Sequence, residues 1–215
     1  MAPNPIDLYK VLDEGRVFCP AVLGGGEYLP RSVLDKYVKE PNITDCCLVE
    51  GVPKELFQTI SKSARKVFVI LLLTDKVEIV RDMLGCGIQD EDLPLSLDEG
   101  RDYLVSRSGK HFQPLNSPWP GKFRRDVKTF LDKQWVVQPP VLDDSGGHHS
   151  VDPKCALPFL ETLQSLGTAA VFDCTIHTDY FCNVDDTAQP LRDSDGDAVT
   201  EVRTISAGGC TCSLV

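Results

Sequence analysis

The sequence has no apolar run of the length that a membrane span requires. Its longest aliphatic and aromatic run, residues 67–73, covers seven positions, whereas a transmembrane helix needs about 20. The amino terminus has neither the basic start nor the apolar stretch of a signal peptide. The nine cysteines include no CxxC pair. These absences predict a cytoplasmic protein whose cysteines are reduced and pack mostly as small core residues.

Positive charge is also scarce. The chain has 22 Lys and Arg against 32 Asp and Glu, which gives a net charge of −10. A nucleic-acid surface needs clustered Lys and Arg to displace counterions, so we exclude nucleic acid as a partner. Residues 155–215 hold nine acids but only two bases, Arg192 and Arg203. We predict that this acidic part is solvated; an acidic partner-binding segment is the alternative.

Helical spacing dominates the first two thirds of the chain. Over residues 53–73 the apolar side chains recur at steps of three and four, which places them on one helix face. The end of this helix is apolar on all sides and is expected to be buried. Further helices are predicted over residues 76–84 and 121–135, with weaker ones near 5–14, 31–39 and 42–50. The fold is therefore predicted to be mainly α, with a helical domain over residues 4–142.

The helical spacing disappears in the last third. Gly and Ser between two acidic and two histidine residues indicate a linker over residues 143–156. β-prone residues then predict two strands, over residues 157–163 and 169–177. No apolar periodicity follows these strands, so we predict that residues 183–215 form a disordered acidic tail.

Several short motifs follow one another along the chain. In order they are the run 63–73, Asp92-Leu93-Pro94-Leu95, Gln134-Trp135, Leu157-Pro158-Phe159-Leu160 and Ile176-His177. Over about residues 5–181, this order resembles the amino-terminal region of large fungal proteins with a protein kinase domain. The resemblance implies a helical domain that leads into the first two strands of a kinase small lobe, here a truncated hairpin over residues 157–182.

The residues that kinase chemistry requires are missing from this chain. No lysine follows Lys154, although a kinase needs one on its third strand to hold the ATP phosphates. The resemblance leaves only Gly167 and Val171 as a remnant of the glycine-rich loop, and three residues separate them where the pattern needs six. The catalytic-loop and magnesium-binding motifs are absent as well. We predict no catalytic residue and no ATP or Mg²⁺ site; these cofactors are expected only for a complete kinase relative.

Two further patterns imitate functional motifs. Asp193-Ser194-Asp195-Gly196-Asp197 has the spacing of an EF-hand start, but Ala198 replaces the required glycine and Thr204 the bidentate glutamate. We therefore predict an exposed acidic turn. His148 and His149 have no Cys or His spacing that completes a zinc site, whereas His177 is expected to have a structural role at a strand end.

The carboxyl terminus offers a possible lipidation site. Cys212 is fourth from the end, which loosely fits the prenylation pattern, and Cys210 could carry a second lipid. A membrane partner is expected only if Cys212 is prenylated; a chance match is the alternative.

Together these features predict a non-catalytic regulatory or protein-interaction module related to the front part of fungal protein kinases. One alternative is a fragment of a serine/threonine protein kinase whose catalytic remainder is missing from this chain. A second alternative is a prenylated membrane-associated adaptor. No sequence feature identifies the protein partner or the oligomeric state.

Overall fold

The chain divides into two compact units. The computed structural model describes residues 6–20, 25–46, 53–98, 103–112, 123–143, 154–165 and 172–182. Unit 1 comprises Met1–Gly15 and Val33–Val137, and unit 2 comprises Arg16–Ser32 and Gln138–Val215. The sequence predicts that residues 16–32 belong to the helical domain, but in the structure they group with the carboxyl-terminal strands. A periodicity argument cannot detect such a grouping because it depends on contacts between distant parts of the chain.

Helices make up most of the described structure, in agreement with the predicted mainly α fold. They are α1 (Leu8–Glu14), α2 (Arg31–Tyr37), α3 (Glu40–Cys46), α4 (Lys54–Ser63), α5 (Arg65–Leu73), α6 (Val80–Gly85) and α7 (Phe123–Lys133). Short 3-10 turns cover Val77–Ile79, Asp90–Asp92, Gln134–Val137 and Thr178–Tyr180. In the part of the chain that the structure describes, no helix combines the length and the apolar character needed to cross a bilayer.

The strands in the described ranges are short and form four small sheets. They are β1 (Val17–Phe18), β2 (Glu27–Tyr28), β3 (Ser96–Asp98), β4 (Tyr103–Val105), β5 (His111–Phe112), β6 (Leu142–Asp143), β7 (Phe159–Ser165), β8 (Phe172–Ile176) and β9 (Phe181–Cys182). Unit 1 contains the antiparallel sheet β3-β4-β5, and unit 2 contains the antiparallel pairs β1-β2 and β7-β8 and the parallel pair β6-β9.

Helix α5 forms the centre of unit 1. Its residues from Val67 to Leu72 are all buried, as the apolar run predicted. A helix that is apolar on all sides needs neighbours on all sides, and α5 contacts α1, α4, α6 and α7. The buried residues of α5 therefore hold these four helices together.

The prediction of one continuous helix over residues 53–73 is wrong. The helix breaks at Ala64, where φ is −139° and ψ is 29°, and α5 begins with a new set of unpaired N–H groups. The Val67 N–H donates to the Asp90 carboxylate at 3.1 Å. Burial raises the pKa of Asp90, and hydrogen bonds from the Val67 and Lys66 backbone oppose that rise. Asp90 thus caps a helix from 23 residues away.

The neighbouring helix ends also differ from the predicted ones. Helix α4 begins at Lys54, with Pro53 as its N-cap. The Thr74 hydroxyl donates to the Ile70 carbonyl at 2.9 Å and so closes α5. Helix α7 ends at Lys133, and the chain continues as a 3-10 turn through Trp135. A local side-chain hydrogen bond closes α5 at Thr74, and apolar spacing does not report such bonds.

Of the sheets that the structure describes, only the β7-β8 pair was predicted from the sequence. The strands predicted over residues 157–163 and 169–177 correspond to β7 and β8, which pair antiparallel. The sheet β3-β4-β5 was not predicted, because strands of two or three residues are too short to show alternation. The predicted tail over residues 183–215 and most of the predicted linker lie outside the described residues.

Candidate functional site

The motif Leu157-Pro158-Phe159 forms the base of the β7–β8 hairpin. Leu157 is 9% exposed and Phe159 is 7% exposed. The His177 N–H donates to the Pro158 carbonyl at 2.8 Å, which closes the hairpin at its open end. Ala156, which the sequence assigned to the linker, is 4% exposed. The motifs Leu157-Pro158-Phe159 and Ile176-His177 therefore form the hydrogen-bonded base of the hairpin.

Three aromatic rings pack together beside the base of the hairpin: Tyr28, His177 and Tyr180, here termed the ring cluster. Tyr28 meets His177 edge to face at 6.0 Å and Tyr180 at 5.7 Å between ring centroids. His177 and Tyr180 lie 6.0 Å apart. Tyr28 and Tyr180 are buried together with Ala156. Edge-to-face contacts of this kind add stabilisation beyond the area they bury, so the ring cluster ties β2 to the end of β8.

The two tyrosine hydroxyls of the ring cluster differ in their partners. The Tyr180 hydroxyl donates to the Leu29 carbonyl at 2.8 Å. The Tyr28 hydroxyl is buried and has no hydrogen-bond partner among the described residues. Burial raises the pKa of Tyr28, and the nearby Cys19 and Asp179 raise it further. Because its hydroxyl is buried without a partner and its pKa is raised, the Tyr28 phenol stays neutral. It therefore cannot act as a base at neutral pH.

Asp179 connects the ring cluster to the start of α2. One carboxylate oxygen accepts the Ser32 N–H at 2.7 Å. The Asp179 N–H donates to His177 Nδ1 at 3.2 Å, and the same carboxylate oxygen lies 3.9 Å from that nitrogen. Burial lowers the pKa of His177, which the charge of Asp179 only partly offsets. His177 is therefore a neutral ring with Nδ1 as acceptor and its proton on Nε2.

Cys19 lies close to this cluster but is not a reactive thiol. It is 5% exposed. Burial raises its pKa, against hydrogen bonds from the backbone of Gly25, Leu157 and Phe159. A thiol of this kind stays protonated and unreactive. Cys46 is partly buried on α3, whereas Cys47 lies outside the described residues.

Unit 1 contains a second polar group, the carboxylate cluster of Asp92, Ser106, Ser108 and Lys110. Asp92 is 3% exposed and binds the Lys110 ammonium at 2.9 Å. It also accepts the Ser108 hydroxyl at 2.8 Å, and the Ser106 and Ser108 hydroxyls are 2.7 Å apart. Burial alone would raise the pKa of Asp92, but the hydrogen bonds of Lys110, Gln89 and Ser108 hold it below the ordinary value.

The carboxylate cluster does not activate a nucleophile. A serine nucleophile needs a neutral base that can take its proton. The hydrogen bond to Asp92 is the main cause that raises the pKa of Lys110, so this lysine stays protonated. The cluster instead fixes the turn over residues 106–109, where Gly109 has a φ of +83°, against the 3-10 turn that carries Asp92.

The predicted site residues are distributed as follows. Gly167, Val171, Cys210 and Cys212 lie outside the described residues, as do His148, His149 and the acidic stretch 193–197. His177 follows β8 directly, at the predicted strand end. His111 is exposed on β5, and its ring meets the Tyr103 ring at 4.9 Å between centroids. No group of three or more metal-binding side chains occurs in the described ranges.

Three residues in or beside these clusters had no sequence signal that singled them out: Tyr28, Asp179 and Lys110. Asp92 belongs to a motif that the sequence analysis quotes, but its pairing with Lys110 was not predicted. The Tyr180 hydroxyl and its Leu29 acceptor are 151 positions apart, and Lys110 and Asp92 are 18 apart. A local pattern does not report pairings over such separations.

Comparison of the chain with models of protein families, with curated proteins and with solved structures finds no match in any of the three.

Proposed function

We propose that this chain is a non-catalytic protein-interaction module related to the amino-terminal part of fungal protein kinases, and that it acts in the cytoplasm. The order of its motifs supports the relationship. Leu157-Pro158-Phe159 opens β7, and Ile176-His177 ends β8. This is the order in which the resemblance places the first two strands of a kinase small lobe.

The bonding of the two polar clusters supports a non-catalytic role. In the ring cluster, His177 Nδ1 and the Asp179 carboxylate both accept backbone N–H groups. In the carboxylate cluster, Asp92 binds the only lysine of that cluster. Buried polar groups that are hydrogen-bonded to the backbone or to an ion partner in this way are typical of residues that stabilise a fold.

The open edge of β8 is the observation that carries the interaction proposal. Among the described residues, β7 and β8 form a sheet of two strands only. The register shifts place extra residues, Leu160 and Leu163, in β7, whereas β8 is continuous. Bulges hinder the pairing of an edge strand with a further strand. A strand without bulges, such as β8, can pair with an added strand along its open edge. An isolated two-stranded sheet is marginally stable in water, so a third strand would stabilise it.

Proline substitutions in β8 test this proposal. Adjacent strand residues direct their N–H groups to opposite edges. Thus, of Cys174→Pro and Thr175→Pro, one removes a donor that faces β7 and the other a donor that faces the open edge. Proline is tolerated at the solvent-facing positions of edge strands. We expect one variant to keep the hairpin, as measured by slow exchange of the His177 N–H, and to lose the protein that the tagged native chain recovers from fungal extracts.

The matched control is Gln58→Ala, because Gln58 is exposed on α4. This variant should recover the same protein as the native chain. If the proline variant that keeps the hairpin also recovers that protein in an unchanged amount, the open edge of β8 is not the binding site.

A further inference from the structure

The Asp179 carboxylate binds one donor and lies near a second group that becomes a donor only when it is protonated. The Ser32 N–H binds it at 2.7 Å, and His177 Nδ1 lies 3.9 Å from the same oxygen. At present Nδ1 cannot donate, since it accepts the Asp179 N–H at 3.2 Å. A proton on Nδ1 would turn this nitrogen from an acceptor into a charged donor. It would then repel the Asp179 N–H and attract the Asp179 carboxylate.

We propose that Asp179 is a proton-controlled latch, which binds the Ser32 amide while His177 is neutral and turns to the His177 ring when that ring is protonated. The movement required is small, because the carboxylate oxygen has to approach Nδ1 by about 1 Å to reach the usual length of a charge-assisted hydrogen bond. The Ser32 N–H belongs to the first turn of α2 and loses its acceptor when the latch opens. This inference is independent of the proposed protein interaction.

The surroundings of His177 favour the neutral state at neutral pH. Its side chain is 19% exposed and that of Asp179 is 10% exposed. Tyr28 faces the ring from β2, with Cys19 close to it, and Tyr180 faces it from the same turn. Burial raises the pKa of each of these three groups, so they stay neutral near pH 7. Arg31, at the start of α2, is a cation near Tyr180, and its charge partly opposes the effect of burial on the Tyr180 pKa.

The pH dependence of the latch follows from the direction in which the pKa of His177 is shifted. Burial lowers the pKa of His177 below its ordinary value. The stabilisation by the neutral ring is therefore complete above the ordinary histidine pKa of about 6.5. It is lost as the pH falls through the lowered pKa of the folded protein. The latch is therefore closed at neutral pH and opens at a pH below the ordinary histidine pKa.

Nuclear magnetic resonance of the full chain tests the latch. The Ser32 amide proton resonates at low field while it binds a carboxylate, and this displacement should be lost as the pH is lowered. The midpoint of that loss should coincide with the midpoint of the His177 ring titration and lie below the ordinary histidine value. This coincidence is measured in the native chain and needs no variant.

Two variants complete the test. His177→Asn places a non-titrating acceptor near the position of Nδ1, so the Ser32 displacement should persist through the histidine range. His111→Asn alters an exposed histidine of unit 1 and should leave the native titration unchanged. If the Ser32 amide moves with a midpoint different from that of His177, or does not move while His177 titrates, the latch does not exist.

Discussion

Alanine in place of Gln134 is expected to cause one of the two largest losses of stability in this protein. Gln134 is 2% exposed, and so is Leu95. The side-chain amide of Gln134 donates to the Leu95 carbonyl at 3.0 Å and accepts the Leu95 N–H at 2.8 Å. It thus serves both backbone groups of Leu95 as a neighbouring strand would.

The expected cost follows from the two groups that the substitution leaves buried without partners. Each unsatisfied backbone group costs about 1–3 kcal/mol, so Gln134→Ala should lower the free energy of unfolding by about 2–6 kcal/mol. Urea unfolding followed by far-ultraviolet circular dichroism measures this loss. Gln58→Ala, at an exposed position of unit 1, should change the free energy by less than about 0.5 kcal/mol. Equal midpoints for both variants would mean that Gln134 does not hold Leu95 in solution.

Truncation of Phe68 is the second change with a large expected effect. Phe68 is 0% exposed at the centre of α5, which contacts four other helices of unit 1. Loss of its ring removes buried apolar surface and leaves a cavity, which costs about 3–5 kcal/mol for a phenylalanine. A natural domain is stable by only about 5–15 kcal/mol, so Phe68→Ala should remove a large share of the free energy of unfolding and lower the urea midpoint clearly.

Tyr9 provides the matched control for Phe68. Its ring is 47% exposed on α1, in the same unit. Tyr9→Ala should therefore shift the denaturant midpoint far less than Phe68→Ala does. Similar midpoints for the two variants would contradict the placement of α5 at the centre of unit 1.

Apolar patterning predicted the parts of the fold that local burial determines. The run that ends at Leu73 identified α5, because a helix that is apolar on all sides must lie in a core. β-prone composition identified β7 and β8. The break at Ala64 was missed since its cap, Asp90, comes from a distant part of the chain. In the Gln134-Trp135 motif Gln134 is the more buried residue, because its amide pairs with both backbone groups of Leu95 as a strand would.

The candidate site was less accessible from the sequence than the helices. His177 was expected at a strand end, and it lies there. Its partners come from two segments that the sequence did not connect, Tyr28 in β2 and the turn that carries Asp179 and Tyr180. Hydrogen bonds and ring contacts between distant segments leave no periodic trace, so composition alone does not predict them.

The most direct test of the central claim, that this polypeptide performs no phosphoryl transfer, is to incubate the purified chain with Mg·ATP labelled on the γ-phosphate. We expect no label on any acceptor and an unchanged unfolding midpoint in the presence of the nucleotide. A ligand at 100 times its dissociation constant would add about 2.7 kcal/mol to the free energy of unfolding. A rise of that size, or label on the chain or on an added substrate protein, would contradict a non-catalytic role.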